Sequence, residues 1–381
     1  MDTLLLPQSN TFYKQLKDCK ELDLRDNRGK THCIGLVLIG VLIGLCRNRD
    51  GVLSSIHRSI KNTHSQLCHY LQVEYGTPIS RAQLPLVLKK IDVTQFSKLL
   101  LLFSGIELSD EEKQWFAGDG KELRGSILKG EKRGDVVVQA VSHHDRTVYG
   151  QAFYNGQKES ERPCIRQLLD SALGSQKITL DALHFIPETI KQIENQEGIY
   201  VIGLKENQQE LYNDMARIGQ RVKPVNTLRE VEKSHGRIDK RTYRSYAIEN
   251  EFFDERWSGA NFQTLVQVHR TSMQLKSKVE SQEVSYYISN ARIKDENDNE
   301  LFRAVRGHWN VETNNYIRDV TLKEDGLRTK ESTISKVMAS CRTLTLNLLN
   351  KLKLKNRKAK VEEFADNFET LLIWLSEVKI L

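Results

Sequence analysis

The stretch "QWFAGDGKELRGSI", residues 114–127, decides how the chain is read. Its first half reads as a short apolar strand. Its Asp119-Gly120 pair reads as a turn, because Asp and Gly tolerate the backbone conformations a bend requires. Asp119 is then either the polar corner of that turn or a carboxylate presented at a strand end. The sequence on both sides has to decide.

Downstream, "GDVVVQAVSHH" (134–144) is apolar and β-branched, which predicts a buried strand. "TVYGQAFYNG" (147–156) follows as its antiparallel neighbour, and "RPCIRQLLDSAL" (162–173) reads as a helix. "KITLDALH" (177–184) is a strand that ends on Asp181. "PETIKQIENQEG" (187–198) is a helix with Pro at its start and Gly after its end. "IYVIGLKEN" (199–207) is another buried strand. Three strands, helix, strand, helix, strand is the order of an α/β layer in which an antiparallel hairpin feeds a mixed sheet. Residues 215–290 read as mostly β, and the chain turns helical again after 300.

Upstream, residues 1–107 read as helical. "CIGLVLIGVLIGLC" (33–46) is the longest apolar run. It is too short to span a bilayer and does not begin the chain, so it predicts a buried helix and no membrane partner. "SRAQLPLVLKKI" (80–91) is either part of a small packing unit or half of a helix-turn-helix that touches DNA. The organisation expected is a helical domain at 1–107 and an α/β domain at 108–381, with helices closing it at about 331–381.

The chain of 381 residues carries 57 Lys and Arg against 50 Asp and Glu, a net charge of +7. A modest positive excess suits a polyanionic partner. Six cysteines with no C-x-x-C pair fit reduced thiols in a cytoplasmic protein and give no zinc spacing.

Three acids stand out: Asp119, Asp181 and Glu312, the last in the predicted helix "RGHWNVETNNYIRDV". Ligands in such sheets gather beyond strand carboxyl ends, so the two aspartates can converge there. A helix packed over the sheet edge delivers the glutamate. Carboxylates brought to one point repel each other unless cations lie among them. Mg²⁺ takes carboxylate, water and phosphate oxygens, and a pair of such ions serves phosphoryl transfer. Taken singly, Asp181 also reads as a strand-end cap, and Glu312 as a solvated helix residue.

The order of motifs resembles the insertion-sequence transposases of the H-repeat-associated group, a branch of the DDE transposases. It is carried by "DGKELRGS" (119–126), "ITLDALH" (178–184), "YVIGLKENQ" (200–208), "SHGRIDKRTY" (234–243), "YYISN" (286–290) and "RGHWNVETNNYIRDVTLKEDGLR" (306–328). "DLRDNRGKTHCIGLVLIGVLIGLC" (23–46) is similar to the group's associated N-terminal domain, so the resemblance covers nearly the whole chain. It implies an RNase H-like (retroviral integrase superfamily) α/β core, with a β-rich insertion at about 215–290. It implies Asp119, Asp181 and Glu312 as catalytic and metal-holding triad, with two Mg²⁺ or Mn²⁺ ions. The partners implied are DNA (transposon terminal inverted repeats and target DNA) and a second copy of the chain when two ends are synapsed, among the nucleoid of a bacterial cytoplasm. A nuclease on the same core, or a DNA-binding protein that no longer cuts, are the rival readings. Where better-studied relatives carry Tyr, Arg and Lys around the glutamate, this chain has Val305, His308 and Asp319.

Basic residues near these motifs are candidate DNA contacts, each with a plainer reading beside it. Lys121 and Arg124 follow Asp119 and neutralise a phosphate or decorate a turn. Lys205 and Asn207 follow a strand end. Arg237 and Arg241 share one face of a strand with Asp239, and Lys240 takes the other. That strand is a DNA-facing surface or an edge guarded by charge. His308 lies four residues before Glu312 and contacts the scissile phosphate, orients Glu312 or is structural. Trp309 reads as core.

Overall fold

The structure, a computed structural model, describes residues 11–47, 50–74, 76–104, 108, 111–234, 236–249 and 253–381. His235, part of the basic strand motif, lies outside the described residues.

One sheet organises the molecule. Strands β1 (Trp115–Glu122), β2 (Asp135–Ser142) and β3 (Val148–Asn155) form an antiparallel meander. β4 (Lys177–Leu180) and β5 (Ile199–Leu204) then add in parallel on the other side of β1. The parallel crossovers run through α6 (Glu161–Leu168) and α7 (Pro187–Asn195), whose Pro lies at the helix start as the sequence predicts. The order of elements from 115 to 204 is thus the one read from hydrophobic pattern.

The β-rich stretch continues the same sheet. β6 (Asn226–Ser234), β7 (Arg237–Ala247), β8 (Thr264–Gln274) and β9 (Glu280–Ser289) form an antiparallel ladder, and β9 pairs with β5. The full order is β3-β2-β1-β4-β5-β9-β8-β7-β6. A helix precedes this ladder, α8 (Gln209–Arg221), so the stretch read as β from 215 begins as strand only at Asn226. Its amphipathic pattern is carried by few large apolar residues, and Leu211 and Met215 alone are buried.

Both faces of the first strands are covered. Every residue of β2 is buried. One face packs on α6 through Val138, Ala140, Ile165 and Leu168. The other meets α10 (Trp309–Val320), where Ala117, Val141 and Val148 enclose Val311. α9 (Glu300–Gly307) leads into α10 at His308, and α11 (Ser332–Lys351) follows.

The helices at the two ends of the chain share one core. α1 (Phe12–Asp18), α2 (Ile34–Arg47), α3 (Leu53–Leu71), α4 (Gln83–Leu88) and α5 (Val93–Ser104) pack with α11, α12 (Arg357–Asp366) and α13 (Phe368–Glu377). α2 is apolar on nearly all sides because it is surrounded by α1, α3, α11 and α12. No helix among the described residues is long and apolar enough to cross a membrane. The apolar core therefore runs across the sequence step near 107, joining residues 12–100 to residues 317–380.

Candidate active site

The Asp-Gly pair is not a turn. β1 runs through it to Glu122, with Asp119 opposite Gln139 of β2. Neither glycine has a positive φ. They are small because α6 lies against them. A Cβ on Gly118 would come within 2.6 Å of Leu180 Cδ2 and 2.9 Å of Ile165 Cδ1, and one on Gly120 would collide with the Glu161 carboxylate. The turn expected at 119–120 is thus replaced by a strand whose alternate residues allow a helix to approach closely.

The opposite face of β1 carries Ala117, Asp119 and Lys121, and α10 lies along it. Ala117 packs on Val311, Asn315 Nδ2 donates to Asp119 Oδ2 at 3.3 Å, and Lys121 Nζ lies 2.7 Å from Asp319 Oδ1. The matching is geometric. Two strand residues advance about 6.8 Å and four helical residues about 6 Å, so positions 117, 119, 121 and 311, 315, 319 stay in step. Beneath α10, Arg318 is fully buried, bonded to Glu324 at 2.6 and 2.8 Å and to Thr343 at 2.8 Å. Gln139 donates to the same Thr343 hydroxyl. This network fixes the rotation of α10, and with it the positions of Glu312 and Asn315.

Asp181 comes level with Asp119 through strand register. β4 pairs with β1 as Ala117↔Thr179, and two further residues reach Asp119 and Asp181. Asp181 stands just beyond β4, where its Oδ1 accepts from Leu183 N at 2.9 Å. The cap expected of Asp181 is present. Its turn is fastened by Asn207 Nδ2 to Ala182 O, Gln208 Nε2 to Phe185 O and Arg162 Nε to Leu183 O, each at 3.0 Å. Glu312 is exposed on the outer side of α10, one turn before Asn315.

Electrostatics mark the centre. Burial and the nearby charges of Glu161, Asp181 and Glu312 push the Asp119 carboxyl up to about 7, against a smaller pull from the Gly120 N–H. Desolvation also raises Glu312. Among the described residues, no three His, Cys, Asp or Glu side chains are grouped so as to hold one ion. The donor chemistry nevertheless fits a hard cation: oxygen ligands, mutually repelling, one of them driven toward its protonated form.

The basic candidates divide. Lys121 is 8% exposed and spent on Asp319. Arg124 is open to solvent, 3.9 Å from Asp325. Lys205 is exposed beside the Asp181 turn, and Asn207 braces that turn. Arg237 and Arg241 lie on β7, four strand spacings or about 19 Å from β4. There they surround Asp239 together with Arg270, while Lys240 is exposed on the opposite face. β7 lies between β6 and β8, so it is not an edge strand. His308 sits at the α9–α10 joint, its Nδ1 3.1 Å from Thr179 Oγ1, and His143 meets the same hydroxyl at 3.0 Å. Burial lowers both imidazoles, His143 to about 3, so His143 is neutral at physiological pH. Trp309, read as core, is 46% exposed on the rim beside Glu312. Glu161 escaped the sequence reading. It stands in a polar segment with no periodic signal, and only the small residue at 120 hints at something lying over β1.

Carboxylates on adjoining parallel strands, one within β1 and one just beyond β4, are of the kind found in enzymes that act on phosphodiesters with divalent cations. The family model for the transposase DDE domain matches residues 108–348, and the chain belongs to the DDE transposases, metal-dependent enzymes of DNA cleavage and transposition. It is similar to "Putative transposase YncI" of Escherichia coli O157:H7, 27% identical over 329 residues and 81% of each chain. It is also similar to "H repeat-associated putative transposase YhhI" of Escherichia coli K12, 27% identical over 270 residues, which cover 67% of this chain and 70% of that one. The resemblance carried by the six motifs is borne out.

Proposed function

We propose that this transposase cuts insertion-sequence ends and joins them to target DNA, with Asp119, Asp181 and Glu312 as its catalytic carboxylates. The observation that carries the reading is the strand register that brings Asp119 level with Asp181 beneath the glutamate-bearing helix. The order β3-β2-β1-β4-β5, with three antiparallel and two parallel members, supports an RNase H-like core, and β6–β9 form its insertion.

Asp119, Asp181 and Glu312 hold two Mg²⁺ or Mn²⁺ ions in this reading. Such ions, when bound, activate a water or a 3′-hydroxyl and stabilise the leaving oxygen. The protein contributes position. Asn315 orients the Asp119 carboxylate, and the Lys121–Asp319 pair keeps α10 in register with β1. Thr179, held by His143 and His308, fixes the end of β4 just before Asp181. Arg124, five residues after Asp119, and Lys205, just past the end of β5, are exposed cations suited to the DNA backbone. Two copies of the chain hold two ends together.

The test is cleavage of DNA carrying the element's own terminal repeats in Mg²⁺. Asp119→Asn, Asp181→Asn and Glu312→Gln should each lose nicking and strand transfer while keeping DNA binding. An Asp119→Asn protein that still nicks those ends would refute the assignment.

A further inference from the structure

Glu161 and His184 have no role in the reading above, yet they stand inside the acidic centre. Glu161 opens α6 and its side chain is 13% exposed. It lies over Gly120, in space that any larger residue there would fill. His184 is fully buried at the end of the Asp181 turn. Its Nε2 lies 2.9 Å from Glu161 Oε1 and 3.9 Å from Asp181 Oδ1, so one imidazole edge addresses both carboxylates. The next residue of α6, Arg162, ties the same turn to the helix through Leu183 O.

The balance of charge is unusual. Among the described residues, neither lysine nor arginine pairs with Glu161. A largely buried carboxylate without a cation costs stability. A carboxylate fixed there by a buried imidazole adds negative potential beside Asp119 and Asp181.

We infer that Glu161, oriented by His184, is a positioning residue of the catalytic centre that strengthens the hold of Asp119 and Asp181 on a divalent cation. The inference rests on the reading of those two aspartates as cation-holding. Glu161 acts through them, by charge and by fixing the Asp181 turn.

The experiment measures Mn²⁺ binding to the full chain by the loss of the free-ion electron paramagnetic resonance signal, alongside melting in metal-free buffer. Glu161→Gln should weaken Mn²⁺ binding about tenfold or more, the scale of supporting groups around metal ligands. It should leave the metal-free Tm unchanged or raised, because a repelling charge is gone. Glu161→Asp should restore part of the affinity. His184→Gln, which keeps a donor toward Glu161, should bind more tightly than His184→Ala. A Glu161→Gln protein with wild-type Mn²⁺ affinity and a lowered Tm would make Glu161 a structural brace and overturn the inference. Asp119→Asn is the control. If it weakens Mn²⁺ binding and Glu161→Gln does not, the inference falls and the assignment of Asp119 stands. If Asp119→Asn binds as tightly as wild type, it is the assignment of Asp119 that falls, and the inference with it.

Discussion

Two clusters of charge on one sheet are solved in opposite ways. On β7, Asp239 is 1% exposed and lies within 3.0–3.2 Å of Arg237, Arg241 and Arg270. Burial pushes its carboxyl up, but hydrogen bonds from Ser272 and Arg270 and the surrounding guanidinium charge hold it below the ordinary range. On β1, Asp119 is crowded by three further carboxylates and driven up to about 7. Where charge serves only the fold, the chain supplies the counter-charge itself. Where it is left uncompensated, a proton or a bound cation can supply the balance, and that distinguishes the proposed catalytic centre from the structural knot.

Mutation of the two aspartates should separate the clusters most sharply. Asp119→Asn should lower cleavage of terminal-repeat DNA by about a thousandfold or more, as removal of a central catalytic group does, and its metal-free stability should not fall. Asp239→Ala should do the reverse. Leaving three partly buried arginines without their carboxylate should cost about 2–3 kcal/mol in denaturant unfolding. An Asp239→Ala protein of full stability would mean that the arginines find solvent, and that the β7 face is a basic surface after all.

Legibility in the sequence follows the same division. The strands and crossovers from 115 to 204 were readable because buried β-branched runs and a Pro-initiated helix are local signals. Asp181 was readable as a strand-end acid. The Asp119 turn was misread because Gly118 and Gly120 answer to α6, which arrives some forty residues later in the chain. Trp309 was misread because a helix of mixed polarity does not say which side faces the sheet. Arg237 and Arg241 were correctly put on one face, but their partner Arg270 comes from another strand. Glu161 was invisible, since only the folded sheet brings residue 161 over residue 120.

The clusters should also titrate with opposite sign. Asp119 ionises at about 3.8 when unfolded and about 7 when folded, so between these values the unfolded chain has released a proton that the native chain retains. Ionisation then penalises the native state. Metal-free stability should fall as pH rises from about 4 to about 7, by roughly 1–2 kcal/mol allowing for solvent screening. Asp119→Asn should flatten that slope, and added Mg²⁺ should reverse it. Asp239 is depressed, so its contribution is present above its unfolded value and is lost as pH falls below about 4 through its lower folded value. Melting curves of the two variants across pH 3–8 should therefore diverge at opposite ends of the range.

The smallest effect belongs to the outer rim of the β7 knot. Glu232 on β6 lies 3.0 Å from both Arg241 and Arg306, joining the outer strands to α9. Glu232 and Arg306 are each about 40% exposed, so water screens the pair. Arg306→Gln should then change stability by less than about 1 kcal/mol, with Arg241 still bound to Asp239. A larger loss in thermal melting would mean that α9 depends on this contact to meet the outer strands. Because α9 leads directly into the helix bearing Glu312, cleavage should then fall together with stability. A small loss with unchanged cleavage would leave α10 fixed by Arg318, Lys121 and Asn315, from the inner side alone.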